Sequence, residues 1–102
     1  MLNKNIETFI GCDKDYDEAK IVLFGAPFDS TTSFRPGTRF ASKVMRSESF
    51  GIETYSPYQD KDLADSCIFD GGDLELPFGN TERVLSEIED YTAKIVQDGK
   101  IP

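Results

Sequence analysis

A chain of 102 residues, 38% hydrophobic with eight Phe and four Tyr, has the length of one domain and enough apolar content to build a core for it. Its net charge of −8 lies wholly in residues 52–102, with twelve acids to four bases, while residues 1–51 balance seven against seven. Such a surface is repelled by phosphate backbones and anionic lipid, so neither nucleic acid nor membrane is expected as a partner. No apolar run nears the roughly 20 residues of a membrane span, and Met1 to Glu7 lacks the pattern of a secretion signal. Cys12 and Cys67 are far apart and outside any Cys-x-x-Cys pair, which fits a reduced, cytoplasmic chain. Cys67 sits in an apolar stretch and is expected to be buried, Cys12 in a polar one and to be exposed.

Residues 1–19 are polar and read as an N-terminal arm ahead of a body over residues 20–102. Lys20 to Gly25 (KIVLFG) is a β-branched and aromatic run that reads as a strand buried on both faces. Residues 26–41 are broken by Pro27, Pro36 and Gly37 into a long loop, with positive φ expected at Gly37. Ser42 then caps a short helix to about Phe50, with Val44 and Met45 inward and Gly51 as its stop. Glu53 to Ser66 is irregular, Ser66 to Phe69 a second strand, and Asp70-Gly71-Gly72-Asp73 a turn whose carboxylates bond nearby N–H groups. Asn80 caps a final helix with Glu82 in its first turn. Val84, Leu85, Ile88, Tyr91, Ile95 and Val96 form its apolar stripe, and Gly99 ends it.

Strand, loop and helix, strand, helix is the rhythm of an α/β protein with a parallel sheet. Two strands are few for a stable sheet, and Lys100-Ile101-Pro102 reads as the start of a third, so an incomplete domain is expected. In such sheets ligands collect at the carboxyl ends of the strands, here the loops 26–41 and 71–79. From composition alone, the first is a surface loop in which Asp29 pairs with Arg35 or Arg39.

Gly25-x-Pro27-Phe28-Asp29, then Ser33-Phe34-Arg35-Pro36-Gly37-x-Arg39-Phe40, then a short helix through Val44-Met45-Arg46-Ser47, is similar to the opening of the agmatinases. These belong to the ureohydrolase family, with the arginases. Asp70-Gly-Gly-Asp73-Leu74 followed by Gly79-Asn80 and a helix also resembles that family, and the match covers about residues 20–102. Ala41-Ser42 stands where family members commonly have Gly-Pro. The resemblance implies the N-terminal part of a three-layer αβα arginase-like fold. It implies hydrolysis of a small cationic guanidinium substrate, agmatine to putrescine and urea, with arginine, guanidinobutyrate or formiminoglutamate as alternatives within the family. It also implies a homo-oligomer, trimer or hexamer, and two Mn²⁺ ions that activate a bridging water. The ligands of those ions lie in Gly-Gly-Asp-His, Asp-x-His-x-Asp and Asp-x-Asp-x-x-Asp-Pro segments, none of which is present. Leu74 follows Gly71-Gly72-Asp73 where His is needed, and the chain has no His at all. No catalytic residue and no metal ligand is therefore expected here, and the stretch alone should be inactive. Asp29, Phe34 and Arg35 remain as candidates for the rim of the substrate cleft or for a subunit contact. A free-standing, non-catalytic α/β binding module is the alternative of another class.

Overall fold

The computed structural model describes residues 6–102. In chain order the elements are β1 (Ile21–Gly25), α1 (Ala41–Ser49), β2 (Tyr55–Ser56), β3 (Lys61–Asp62), β4 (Ile68–Asp73) and α2 (Thr81–Gln97), with single 3₁₀ turns at Tyr16–Glu18, Thr38–Phe40 and Leu63–Asp65. β1 and β4 pair in parallel, with Ile21 beside Ile68 and Val22 beside Phe69. The stretch expected to be irregular contains a minimal antiparallel hairpin, β2 with β3, turning at Asp60 with φ 51°. The hydroxyl of Tyr55 donates to Asp60 across that turn at 2.6 Å.

Side chains alternate along a strand, and the two faces of this sheet have different fates. Val22 and Phe69 point to one face, where they form a closed core with Ile95 of α2 and with Tyr16 and Ala19 of the N-terminal arm. Tyr16 meets Phe69 edge-on, with ring centroids 5.3 Å apart, and Phe24 packs on Tyr91 at 4.7 Å. α2 is built as its residues dictate. The Asn80 side chain accepts from the Arg83 N–H, and Val84, Ile88, Tyr91 and Ile95 lie inward. Gly99 and Lys100 close the end by donating to the carbonyls of Val96 and Ile95, a Schellman motif. Leu85 and Val96 depart from the expected stripe: both sit at its edge and are more than half exposed.

Asp70 points to the opposite face, and α1 lies there, since its Arg46 reaches Asp70. The sheet thus has a helix on each side, the three-layer order in its smallest form. Burial of β1 on both faces does not hold among the described residues: Ile21 and Leu23 on the α1 side are 40% and 39% exposed. α1 is also rotated from expectation. It turns Ser42, Arg46 and Ser49, at i, i+4 and i+7, toward the body, and leaves Val44 and Met45 outside. Polar partners set that phase: Arg46 pairs with β4, and Ser49 Oγ accepts from the Ile10 N–H at 3.0 Å. Ser42 lies inside the helix rather than capping it, and donates to Asp73 at 2.7 Å.

Both outer edges of the pair carry one further bridge. Asp13 lies antiparallel to Phe69 on the β4 side, with the Lys14 N–H donating to the Ile68 carbonyl at 3.1 Å. Ile101 lies parallel to Ile21 on the β1 side, bonded to Lys20 and Val22 at 2.9 and 2.8 Å. The third strand expected from Lys100-Ile101-Pro102 therefore begins next to β1. The arm is held by burial too: Cys12, expected to be exposed, is 3% exposed, whereas Cys67 is only half-buried.

Candidate functional site

The carboxyl ends of β1 and β4 lie side by side, so the loops 26–40 and 74–80 that leave them face one another. The first loop is organised by Asp29. Its Oδ2 accepts from the Gly37 N–H and from the Arg39 guanidinium, each at 2.8 Å, and more weakly from the Arg39 N–H at 3.4 Å. Partial burial works against its charge, but these three donors prevail and hold the carboxyl below the ordinary carboxylate value. Asp29 also closes a local turn, its carbonyl accepting from the backbone and hydroxyl of Thr32. Gly37 has the expected positive φ, 140°. Arg39, and not Arg35, is thus the partner of Asp29. Arg35 lies over the Phe34 ring at 5.4 Å, and the pair stands at the exposed tip of the loop, with Phe34 86% exposed.

The second loop is organised by a feature that the sequence reading did not recognise. Asp70 through Asp73 are the end of β4 rather than a turn, and Asp70 is fully buried. Residues three apart on a regular strand point to opposite faces. Here β4 takes three steps, Asp70 to Asp73, while β1 takes two, Leu23 to Gly25. The extra residue is a bulge at Gly71-Gly72, where Gly72 adopts φ 76°. It swings Asp73 round to the face of Asp70, and both carboxylates meet one guanidinium. Arg46 Nε lies 3.1 and 2.9 Å from the two oxygens of Asp70, and its Nη1 lies 2.7 Å from Asp73. Burial works against the charge of Arg46, and the bonds to Asp70 and Asp73 overcome it and hold the group protonated. Asp70 further accepts from the N–H groups of Phe9 and Gly72 at 2.8 and 2.9 Å, so it ties the arm to the sheet as well. Among the described residues no buried side-chain polar atom lacks a partner. The sequence signal for this cluster was Arg46 between Ser42 and Ser49 on one polar helix face.

Gly25 is where the two loops touch. A Cβ there would lie 2.0 Å from Asp73 Oδ1 and 2.6 Å from Ser42 Oγ, so no larger residue fits without moving them. The Leu74 N–H donates to the Gly25 carbonyl at 2.9 Å and stitches the second loop to the first. Between the loops lies a pocket of about 330 Å³, walled by Phe28, Phe40 and Phe78, with Asp29, Lys43 and Asp73 among its polar groups. Of the three candidate residues, Asp29 borders this pocket. Phe34 and Arg35 do not: with Asp29 they line a shallow depression on the outer side of the first loop. Among the described residues no three His, Cys, Asp or Glu side chains come together as a metal site.

The chain matches the Arginase family over residues 19–102. It is 48% identical over 96 residues to the agmatinase of Bacillus subtilis, covering 94% of this chain and 33% of the relative. It is 44% identical over the same length to the agmatinase of Bacillus anthracis, again 94% and 33%. In structure it is similar to the agmatine ureohydrolase of Thermoplasma volcanium, with a TM-score of 0.88 and 34% identity over 96% of this chain and 33% of that one. The chain thus spans about a third of the length of the relatives it matches.

Proposed function

Because this chain belongs to the arginase family, we propose that it is the N-terminal part of a manganese-dependent hydrolase that splits agmatine into putrescine and urea. The observation that carries the reading is the 48% identity to an agmatinase along a stretch that includes the whole Gly25–Phe40 loop. The residues present do not fit the two manganese ions. The chain has no His, and the carboxylates of Asp70 and Asp73, which converge on one guanidinium, are already neutralised in part by Arg46. A dication placed there would be repelled by a guanidinium in direct contact with both would-be ligands. In this reading the ions supply an activated water and are held by segments beyond these residues. This stretch contributes the parallel pair β1 and β4, the pocket between its two loops, and Asp29 at the rim. The exposed Phe34-Arg35 tip is assigned to the cleft rim or to a subunit contact in a homo-oligomer, trimer or hexamer. The protein acts in the cytoplasm on a small cationic guanidinium substrate.

Urea release from agmatine and from arginine, measured with Mn²⁺ on the full-length protein, tests this. The expected result is turnover of agmatine in preference to arginine. Equal or greater turnover of arginine would refute the substrate, and no urea from any guanidinium compound would refute the reaction.

A further inference from the structure

The network around Arg46 asks for a reason beyond stability. Three charged side chains are drawn together, with Arg46 5% and Asp70 0% exposed. Removing such charges from water offsets most of what their attraction returns, and apolar residues of similar size commonly serve stability as well or better. What apolar residues would not give is direction. Arg46 Nε addresses Asp70 and Nη1 addresses Asp73, a fork that fixes the two carboxylates relative to each other. Asp73 in turn holds Ser42 at the start of α1, where the first loop ends, and presses on Gly25, where that loop begins. It also precedes the second loop and borders the pocket between the two.

We propose that Arg46 and Asp73 are positioning residues for the substrate pocket, holding the loops 26–40 and 74–80 at the separation that shapes it. The inference rests on the proposed hydrolase only in calling the pocket's ligand a substrate. Arg46 does not line this pocket; it acts through Asp73, which does.

The test uses the full-length protein and the variants Asp73→Ala, Asp73→Asn and Arg46→Lys. Asn keeps the Oδ1 acceptor that meets Ser42 and Arg46, whereas Ala removes it, and Lys keeps the charge of Arg46 without the fork. Asp73→Ala and Arg46→Lys are expected to raise KM for the guanidinium substrate about tenfold with kcat within about threefold, the pattern of lost binding geometry. Asp73→Asn should restore KM to within about threefold of the parent. Amide hydrogen exchange in residues 26–40 should quicken in the Ala and Lys variants at temperatures where both remain folded. A lower Tm with KM and loop exchange unchanged would assign the network to stability alone and overturn the proposal. Should the parent release no urea, the hydrolase reading falls, and loop exchange alone decides: faster exchange supports the positioning role, unchanged exchange overturns it.

Discussion

The two faces of the sheet are held by different physics. On the α2 side Val22, Phe69 and Ile95 are at most 2% exposed and close a small apolar core. On the α1 side Arg46 makes the attachment, while Ile21, Leu23 and Met45 remain open around a cleft of about 710 Å³ and Val44 is exposed to solvent. The imbalance is visible in the whole chain. Its surface is 7355 Å², where a self-contained domain of this mass exposes about 5,800 Å². Its radius of gyration is 15.0 Å, against about 13 Å for a compact domain of this length. The α2 face is sealed by its own residues, whereas the α1 face leaves apolar residues open to solvent.

The largest effect expected from this difference is on the isolated 102-residue chain. It should bind a hydrophobic dye and melt without a cooperative transition, while the full-length protein does neither; a sharp calorimetric transition of the short chain would remove the contrast. Next, in the full-length protein, Phe69→Ala should cost about 4 kcal/mol in denaturant unfolding, as deletion of a fully buried ring from a tight core does. Arg46→Ala should cost about 3 kcal/mol, because it strands two carboxylates and not because it leaves a hole. Arg46→Met, which fills the space, should cost nearly as much. Recovery of stability in Arg46→Met would show the open face to be held by packing after all.

A smaller effect separates the faces by pH. The Tyr16 hydroxyl donates to Asp98 at 2.5 Å, and burial followed by that bond pushes its pKa from 10.0 to about 12. A group raised in the folded state keeps its proton there after the unfolded chain has lost it. The stability it contributes is therefore complete below pH 10.0 and lost as pH climbs toward about 12. Stability measured across that window should fall in the parent. Tyr16→Phe should lessen the fall, leaving the share of Cys12 and Tyr91, whose pKa values burial also raises, and leaving loop exchange over residues 26–40 unaltered. An equal decline in the variant would place the titration elsewhere.

Legibility in the sequence follows the same division. α2 was readable because its signals are local: Asn80 at the cap, apolar residues every three or four positions, Gly99 at the exit. The β1 run and the parallel pairing were readable for a similar reason, and the Gly25–Phe40 motif supplied the family resemblance. The α1 face was not. Its rotation depends on a pairing between residues 24 and 27 apart, and on a bulge that moves Asp73 across the strand. Asp-Gly-Gly-Asp suits a turn as well as it suits a bulge, and only the partner decides between them. Cys12 was misplaced in the same way: its neighbours in sequence are polar, but the arm carrying it folds back against β4 through Asp13, Lys14 and Phe9.

In the proposed hydrolase this stretch shapes the pocket between its two loops and holds none of the metal. Anomalous scattering at the manganese edge, from crystals of the full-length protein grown with Mn²⁺, addresses it directly. The expected result is a pair of ions whose every protein ligand lies outside residues 1–102, with Arg46 still seated between Asp70 and Asp73. A manganese ion bound to Asp29, Asp70 or Asp73 would contradict it.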